Sequence, residues 1–85
     1  MTVTLRYFAW VRERAGRAEE QVELPADLET AADVIGWLKG RSPEFGHAFE
    51  KPEIVRIAID QQHAQPSASI RGAREIAFFP PVTGG

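Results

Sequence analysis

Four short strand-like runs and a single helical repeat limit what this chain can fold into. The runs lie near residues 2–8, 20–24, 54–60 and 75–79. In the first three runs the side chains alternate in a pattern typical of strands that bury one face, and the fourth is a short apolar run that ends at two prolines. Because 85 residues close only one core, the order strand, strand, helix, strand, strand predicts an α+β domain. Its mixed sheet is expected to carry one main helix on one face.

The helical repeat begins after Thr30 and ends near Gly40. Thr30 and Asp33 have the spacing of a capping box, in which each side chain bonds a backbone amide at the helix start. The apolar residues that recur on one helical face are Ala31, Val34, Ile35 and Leu38. This stretch therefore predicts the one long helix of the chain.

The remaining segments read as connections with little regular structure. Residues 9–16 have a helix-like composition, and Gly16 can end one or two helical turns by taking a positive φ. Residues 42–49 open with a Ser-Pro-Glu sequence that is typical of a further helical turn. Residues 61–74 are polar and contain Pro and Gly, so we expect a long loop with a short strand around residues 69–70.

This order of elements suggests, by analogy, a β-grasp or ubiquitin-like roll. In that fold the first and last strands lie side by side and parallel, and the helix crosses one face of the sheet. We therefore expect residues 1–80 to form the domain and residues 81–85 to form a flexible tail.

Charge and cysteine content exclude several classes of function. Ten Lys and Arg residues against twelve Asp and Glu residues give a net charge of -2, which is unfavourable for binding nucleic acid. No cysteine is present, so disulfides, thiolate metal sites and thiol nucleophiles are excluded. The apolar runs are much shorter than the roughly 20 residues of a membrane span, and the first residues lack a signal-peptide pattern. We therefore expect a cytoplasmic protein without membrane or nucleic-acid partners.

The catalytic inventory of the sequence is small. It has no Gly-rich phosphate loop and no paired carboxylates or histidines at metal-ligand spacing. His47 and His63 lie in unrelated predicted loops, so two solvated imidazoles are a better interpretation than a metal site. Ser67 and Ser69 have no neighbouring base. The sequence therefore predicts a protein that is not an enzyme on its own and that binds no metal or cofactor.

The unusual feature is the last segment. After Phe79 the chain reads Pro80, Pro81, Val82, Thr83, Gly84 and Gly85. The two prolines stiffen the chain into an extended course, and the two glycines leave the carboxylate of Gly85 without neighbouring side chains. Two glycines alone are typical of a frayed end, but a stiff stem presents its tip to a partner. The carboxylate of Gly85 is therefore the candidate reactive group.

Two motifs carry a resemblance to a known family. Residues 8–13 read FAWVRE, and residues 75–85 read EIAFFPPVTGG. They resemble the F-A-x-x-R-E and F-F-P-P-V-x-G-G signatures of the small-subunit family of molybdopterin synthase. Members of this family are ubiquitin-like sulfur carriers in molybdenum cofactor biosynthesis. The resemblance implies a β-grasp fold and a carrier function.

The resemblance also implies the partners and the covalent site. In this family an E1-like adenylyltransferase uses ATP to convert the terminal carboxylate into an acyl adenylate, and a sulfur donor converts that into a thiocarboxylate. The tail then enters the large subunit of the synthase, where the sulfur passes to a pterin precursor. Carried over to this sequence, the covalent site is Gly85, and the chain itself binds no cofactor.

Strand parity predicts a partner interface beside the tail. Phe8 and Phe79 point to the sheet face opposite the helix, and neighbouring terminal strands would join them in one exposed apolar patch. The alternative is that loops, or Trp10, cover these rings. Arg12 matches the family's R-E pair with Glu13 and forms either a salt link within the domain or a contact with the activating enzyme.

Three functions stay open at this point. The first is the molybdopterin sulfur carrier, which the Phe-Phe-Pro-Pro stem favours. The second is a related β-grasp carrier for thiamine or tRNA thiolation, or a ubiquitin-like modifier that links Gly85 to target lysines. The third is a passive interaction domain, which would tolerate an added residue after Gly85 where a carrier would not.

Overall fold

Residues 1–81, the part that the computed structural model describes, form one five-stranded sheet and three α-helices. The elements are β1 (Thr2–Tyr7), α1 (Ala9–Ala15), β2 (Glu19–Glu23), α2 (Ala31–Lys39), α3 (Pro43–Ala48), β3 (Arg56–Ile59), β4 (Gln62–Ala64) and β5 (Glu75–Phe79). The strand order in the sheet is β2-β1-β5-β3-β4. Strands β1 and β5 are therefore central neighbours, although they come from opposite ends of the chain.

The two central strands run parallel, and the other pairs are antiparallel. Leu5 of β1 pairs with Ile76 of β5, and Tyr7 pairs with Phe78. Strand β2 pairs antiparallel with β1, and β3 pairs antiparallel with both β5 and β4. This mixed sheet confirms the predicted α+β fold with adjacent, parallel terminal strands.

One face of the sheet is buried under the helices. Its largest fully buried side chains include Leu5, Tyr7, Ile76 and Phe78, and the helices contribute Val11, Val34, Leu38 and Phe45 to the same cluster. The rings of Tyr7 and Phe78 stack with centroids 5.9 Å apart, and Phe49 meets Phe78 edge-on at 5.2 Å. Each fully buried side chain of this size contributes about 1.5–3 kcal/mol relative to an exposed one. The predicted core face of the sheet is confirmed.

The start of α2 is the predicted capping box. The amide of Asp33 donates to Oγ1 of Thr30 over 3.2 Å, and the amide of Thr30 donates to Oδ2 of Asp33 over 3.1 Å. Backbone hydrogen bonds from Glu29 and Thr30 hold the pKa of Asp33 below its usual range. The carboxylate is therefore the form that stabilises the helix start.

The two shorter helical segments are also present. Helix α1 ends at Gly16, whose φ of 82° is left-handed as predicted. Helix α3 is longer than the expected single turn; Ser42 caps it by accepting the amide of Phe45 over 3.2 Å. No helix within residues 1–81 is long and apolar enough to cross a membrane.

The third strand is shorter than predicted at both ends: residues 54–60 were expected, and β3 spans Arg56–Ile59. Residues Pro52–Ile54 form a 3-10 turn, in which the amide of Val55 donates to the carbonyl of Pro52 over 3.1 Å. The proline at the start of this turn favours it over a strand. At the other end, Asp60 and Gln61 take left-handed φ values of 50° and 70° and reverse the chain.

The prediction for residues 61–74 was wrong in one respect. The short strand of this segment is β4, which pairs with β3 through Ala58 and His63, whereas Ser69 forms only an isolated bridge to Thr30. The turn between β3 and β4 is further held by Asp60, whose Oδ1 accepts the amides of Arg74 and Glu75 at 2.9 and 3.0 Å. A hairpin turn with two positive φ angles usually contains glycine, so its sequence signal is weak here.

A buried tyrosine joins the end of β1 to a charged network. The hydroxyl of Tyr7 donates to Oε2 of Glu20 over 2.8 Å, and Arg17 and Arg41 each approach Glu20 to 2.9 Å. Burial raises the pKa of Tyr7, and the hydrogen bond to Glu20 raises it further. Burial opposes the charge on Glu20, but hydrogen bonds from Arg41 and Tyr7 outweigh it and lower the pKa of this carboxyl. The network therefore requires ionised Glu20.

The substitution Glu20→Gln tests this network. Because the pKa of Glu20 is lower in the folded state, its stabilisation is present above the ordinary carboxyl value of 4.5 and is lost as the pH falls through the folded value. We expect Glu20→Gln to lower the free energy of unfolding by about 1–2 kcal/mol at pH 7 and by much less at about pH 3. Urea denaturation followed by circular dichroism measures both values.

Glu19→Gln is the matched control. Glu19 precedes Glu20 in β2, is 63% exposed and reaches Arg6 only at 4.0 Å, so its loss should change the free energy of unfolding by less than about 0.5 kcal/mol. Equal effects of the two substitutions, or an effect of Glu20→Gln that does not change with pH, would contradict the assignment.

Candidate functional site

Phe8 and Phe79 follow the last residue pair of the parallel ladder. Tyr7 pairs with Phe78, and the amide of Phe8 donates to the carbonyl of Phe78 over 3.1 Å. Because side chains alternate along a strand, Phe8 and Phe79 lie on the sheet face opposite the helices, here called the outer face. The ladder therefore places both predicted interface residues at the same end of the outer face.

The two rings differ in exposure. Phe8 is 39% exposed and is one of three large apolar side chains that are exposed in residues 1–81. Phe79 is half-buried. Trp10, the predicted alternative cover for these rings, packs against the core instead, with the Arg14 guanidinium 4.8 Å from its ring centroid. The contribution of Phe8 and Phe79 to docking stays a prediction.

Each ring is supported by a nitrogen-bearing side chain that the sequence analysis did not select. The guanidinium carbon of Arg6 lies 5.2 Å from the ring centroid of Phe8, within cation-π range. The imidazole of His63 meets Phe79 edge to face, with centroids 5.5 Å apart and planes at 88°. Each ring is therefore part of a small cluster of side chains on the outer face.

Small residues separate the two clusters. Ala77 of β5 pairs with Arg6 on one side and with Ala58 of β3 on the other, and Ala58 pairs with His63 of β4. Ala77 is only 6% exposed although it faces away from the helices, so the larger side chains around it cover it. We call Arg6, Phe8, Ala58, His63, Ala77 and Phe79 the outer-face patch.

Arg12 lies on α1 with its side chain exposed. Within residues 1–81 its guanidinium forms no ion pair at 4.0 Å or less, so a salt link to Glu13 is not among the described contacts. Its carbonyl accepts the amide of Gly16 over 2.9 Å and so helps to end the helix. Contact of the Arg12 side chain with a partner stays a prediction.

The root of the tail leaves the sheet beside the outer-face patch. Phe79 pairs with Arg56 of β3, and the half-buried Pro80 and Pro81 follow it. Proline cannot donate to a strand ladder, so the pairing of β5 ends here. The predicted tail residues Val82, Thr83, Gly84 and Gly85 lie outside the described residues.

The described residues offer binding surface and not reactive side chains. His47 lies on α3, 3.8 Å from Glu50, whereas His63 lies on β4. No group of three or more His, Asp or Glu side chains in residues 1–81 could hold a metal ion. Within this part of the chain, the candidate site is thus the outer-face patch beside the root of the tail.

The sequence carries only a weak hairpin signal for the sheet face of His63 and an alternation signal for that of Arg6, and neither signal shows which rings they contact. The two residues Asp60 and Gln61 between two strands put His63 in register with Ala58, on the same face as Phe79. Aspartate tolerates the left-handed conformation and is typical of such turns. For Arg6, alternation from Phe8 along β1 already indicates the outer face.

Comparison with known sequences identifies one family and relatives that match over nearly their whole length. The model of the ThiS family matches residues 5–85. A protein of Haemophilus influenzae named molybdopterin synthase sulfur carrier subunit is 35% identical over 79 residues, which cover 93% of this chain and 94% of that protein. The protein of the same name from Escherichia coli is 30% identical over 83 residues, covering 98% and 99%.

Solved structures share the fold over the whole chain. A putative molybdopterin converting factor, subunit 1, from Pyrococcus furiosus has a TM-score of 0.72 and 26% identity, covering 96% of this chain and 99% of that one. The small archaeal modifier protein 1 from Methanosarcina acetivorans has a TM-score of 0.61 and 26% identity, covering 99% and 96%. The structures that share this fold thus include a putative molybdopterin converting factor subunit and a small archaeal modifier protein.

The substitutions Phe8→Ala and Phe78→Ala test whether the outer-face patch is free surface. Phe8 is 39% exposed and Phe78 is fully buried. We expect Phe8→Ala to change the free energy of unfolding by less than about 1 kcal/mol and Phe78→Ala to lower it by about 3–5 kcal/mol. Urea denaturation measures both, and similar losses for the two variants would show that Phe8 is a core residue.

Proposed function

Because this chain belongs to the ThiS family, we propose that it is the sulfur carrier subunit of a molybdopterin synthase. Family membership confirms the resemblance of the FAWVRE and FFPPVTGG motifs. The observation that carries the proposal is the similarity, at 30–35% identity over nearly the whole chain, to relatives named as sulfur carrier subunits of that synthase. Such subunits are carriers, so the chain on its own is not an enzyme.

The proposed reactive group is the carboxylate of Gly85. A carboxylate oxygen attacks the α-phosphorus of ATP in the activating enzyme, pyrophosphate leaves, and an acyl adenylate forms. A sulfur donor of the hydrosulfide class then attacks the acyl carbon, and AMP and a proton leave. The product is a thiocarboxylate. ATP and the donor are bound by partners, and no side chain of this chain acts as acid or base.

The second half of the cycle takes place in the large subunit. The thiocarboxylate sulfur attacks a carbon of the pterin precursor and displaces an oxygen leaving group from it, which gives a thioester between the precursor and Gly85. Water then attacks the acyl carbon and cleaves the acyl carbon-sulfur bond, with loss of a proton. This restores the carboxylate of Gly85 and leaves the sulfur on the precursor. The glycines at 84 and 85 support this proposal, since side chains at these positions would obstruct a narrow channel that leads the acyl group into the active site of a partner.

The root of the tail, at Pro81, lies close enough to the outer-face patch for one partner to bind the patch and also receive the carboxylate of Gly85. Pro81 is the last described residue, and it lies two residues beyond Phe79 of the outer-face patch. Four extended residues span at most about 14 Å. A partner that covers Phe8 and Phe79 therefore has to place its reaction centre within about 14 Å of the tail root.

A ubiquitin-like modifier is the second candidate. It is favoured by the likeness in fold to the small archaeal modifier protein 1 of Methanosarcina acetivorans. In that function the activated carbonyl of Gly85 is attacked by a lysine amine of a target protein, and an amide bond replaces the bond to AMP. Both candidates use the same activated tail and differ in the nucleophile that attacks it.

The mass of the intact protein tests the carrier function. We expect incubation with ATP, a molybdenum-pathway adenylyltransferase and a sulfide source to replace one carboxyl oxygen by sulfur at Gly85. Mass spectrometry of the whole protein and of its last peptide measures the exchange. A variant lacking Gly85 and a variant with alanine added after Gly85 should stay unchanged, because each moves or alters the activated carboxylate.

Two other results would separate the alternatives. An unchanged mass with an activating enzyme that modifies a known carrier would contradict the molybdopterin carrier function and leave the modifier and the passive interaction domain. Appearance of lysine-linked conjugates in place of the thiocarboxylate would favour the modifier.

Binding of the large subunit tests the outer-face patch. We expect Phe8→Ala and Phe79→Ala each to weaken binding about tenfold, since buried aromatic anchors typically contribute more than 1 kcal/mol at an interface. Ile54→Ala is the matched control, because Ile54 is 40% exposed, as Phe8 is at 39%, but lies in the 3-10 turn outside the patch. Isothermal titration measures the affinities, and equal losses for all three variants would contradict the proposed surface.

A further inference from the structure

We infer that Arg56 is a further docking residue of the partner interface and that the large subunit binds it through a carboxylate. The inference rests on the proposed function, because it concerns the edge of the outer-face patch. It adds a charged residue of β3 and names the chemistry of the partner group that meets it. Arg56 lies outside both end motifs, which span residues 8–13 and 75–85.

The first support is the position of Arg56 beside Phe79. The two residues pair across β3 and β5, so their side chains point to the same face of the sheet. Neighbouring strands lie only about 4.8 Å apart, and Arg56 is exposed. A partner that covers Phe79 therefore reaches the side chain of Arg56 as well.

The second support is the contrast with the arginines that stabilise the domain. Each of these has a carboxylate oxygen within 4.0 Å and an aromatic ring centroid within 5.4 Å; they are Arg6, Arg14, Arg17 and Arg41. Within residues 1–81, Arg56 forms no ion pair of 4.0 Å or less and no cation-π contact. No such contact of its guanidinium stabilises the described fold, so its charge is available to a partner.

The carboxylates of the neighbouring strands are engaged at other positions. Glu75 lies 3.7 Å and Glu19 lies 4.0 Å from Arg6. Glu23 forms an ion pair with the N-terminal ammonium over 2.6 Å. These three carboxylates therefore leave the charge of Arg56 without a counter-ion on the outer face.

The third support is a hollow of 200 Å³ beside Arg56, which Glu53, His63 and Pro66 also line. His63 belongs to the outer-face patch, so the hollow adjoins that patch. Glu53 brings a carboxylate to the hollow, but its oxygens lie more than 4.0 Å from the guanidinium of Arg56. An acidic side chain of a partner in this hollow would be attracted by Arg56 and repelled by Glu53.

Docking makes a counter-ion for Arg56 necessary. A partner surface over Phe79 removes water from the neighbouring guanidinium, and a charge that loses water without a counter-ion is costly. Arginine binds a carboxylate through two parallel hydrogen bonds, because its planar donors match the two oxygens. The large subunit is therefore expected to place an aspartate or glutamate side chain at this point of the interface.

Isothermal titration with the large subunit at two salt concentrations tests the inference. We expect Arg56→Gln to weaken binding about tenfold at about 50 mM salt and about twofold at about 500 mM, because salt screens a charge pair at the edge of an interface. Arg56→Lys keeps the charge but not the planar donors, so its affinity should lie between those of Arg56→Gln and the wild-type chain. Glu53→Gln should tighten binding about twofold at the lower salt concentration, because it removes the repelling carboxylate.

Arg71→Gln is the matched control. Arg71 is also exposed and has no ion pair of 4.0 Å or less within residues 1–81, and its loss changes the net charge of the chain by the same amount. Arg71 lines a hollow together with Met1, which precedes β1, whereas Phe8 follows β1 at the other end of the sheet. We expect the affinity of Arg71→Gln to stay within about twofold of the wild-type value at both salt concentrations.

Circular dichroism verifies that each variant is folded. Equal affinities of Arg56→Gln and Arg71→Gln would overturn the inference, and so would a loss for Arg56→Gln that does not change with salt. Tighter binding by Arg56→Gln than by the wild-type chain would also overturn it, because the partner would then present a cation or an apolar group at this point. Each of these results leaves the proposed function intact. Absence of binding by the wild-type chain would overturn the proposed function, and this inference with it.

Discussion

The parallel pairing of β1 with β5 is the constraint on which the rest of the structure depends. It joins Leu5 to Ile76 and Tyr7 to Phe78 across most of the length of the chain. A parallel pair needs a long crossover connection, and here every other element belongs to that connection. The same ladder stacks Tyr7 on Phe78 inside the domain and sets Phe8 beside Phe79 outside it. The core and the outer-face patch therefore share one backbone register, and a slip by one residue would exchange them.

The two faces of the sheet differ because the inner face carries large side chains that contact the helices, whereas the outer face carries small residues between exposed clusters. On the inner face, large rings pack against one another and against the helices. On the outer face, Ala58 of β3 and Ala77 of β5 lie between two ring clusters, one of Arg6 and Phe8 and one of His63 and Phe79. Alanine has no rotamers to lose, so covering these positions with a partner costs little side-chain entropy.

The proposed function separates recognition from chemistry. It assigns recognition to the described domain, where the exposed ring of Phe8 and the half-buried ring of Phe79 lie beside the root of the tail, and it assigns chemistry to a main-chain carboxylate and the catalytic groups of partners. The absence of cysteine fits this division, since a sulfur carried on the main chain needs no thiol. The charged network at Tyr7, which contains Glu20, Arg17 and Arg41, joins β1 to β2 on the helix side of the sheet, away from the outer-face patch.

The sequence by itself determined the elements whose signals are local. Capping at Thr30, the left-handed stop at Gly16 and alternation along β1 depend on neighbours within a few residues, so they could be read directly. Strand β4 could not, because three residues carry too little pattern and its turn residues Asp60 and Gln61 lack glycine. Only the tertiary structure placed His63 against Phe79 and Arg6 over Phe8, because these contacts depend on strand register between distant segments, which no local interaction specifies.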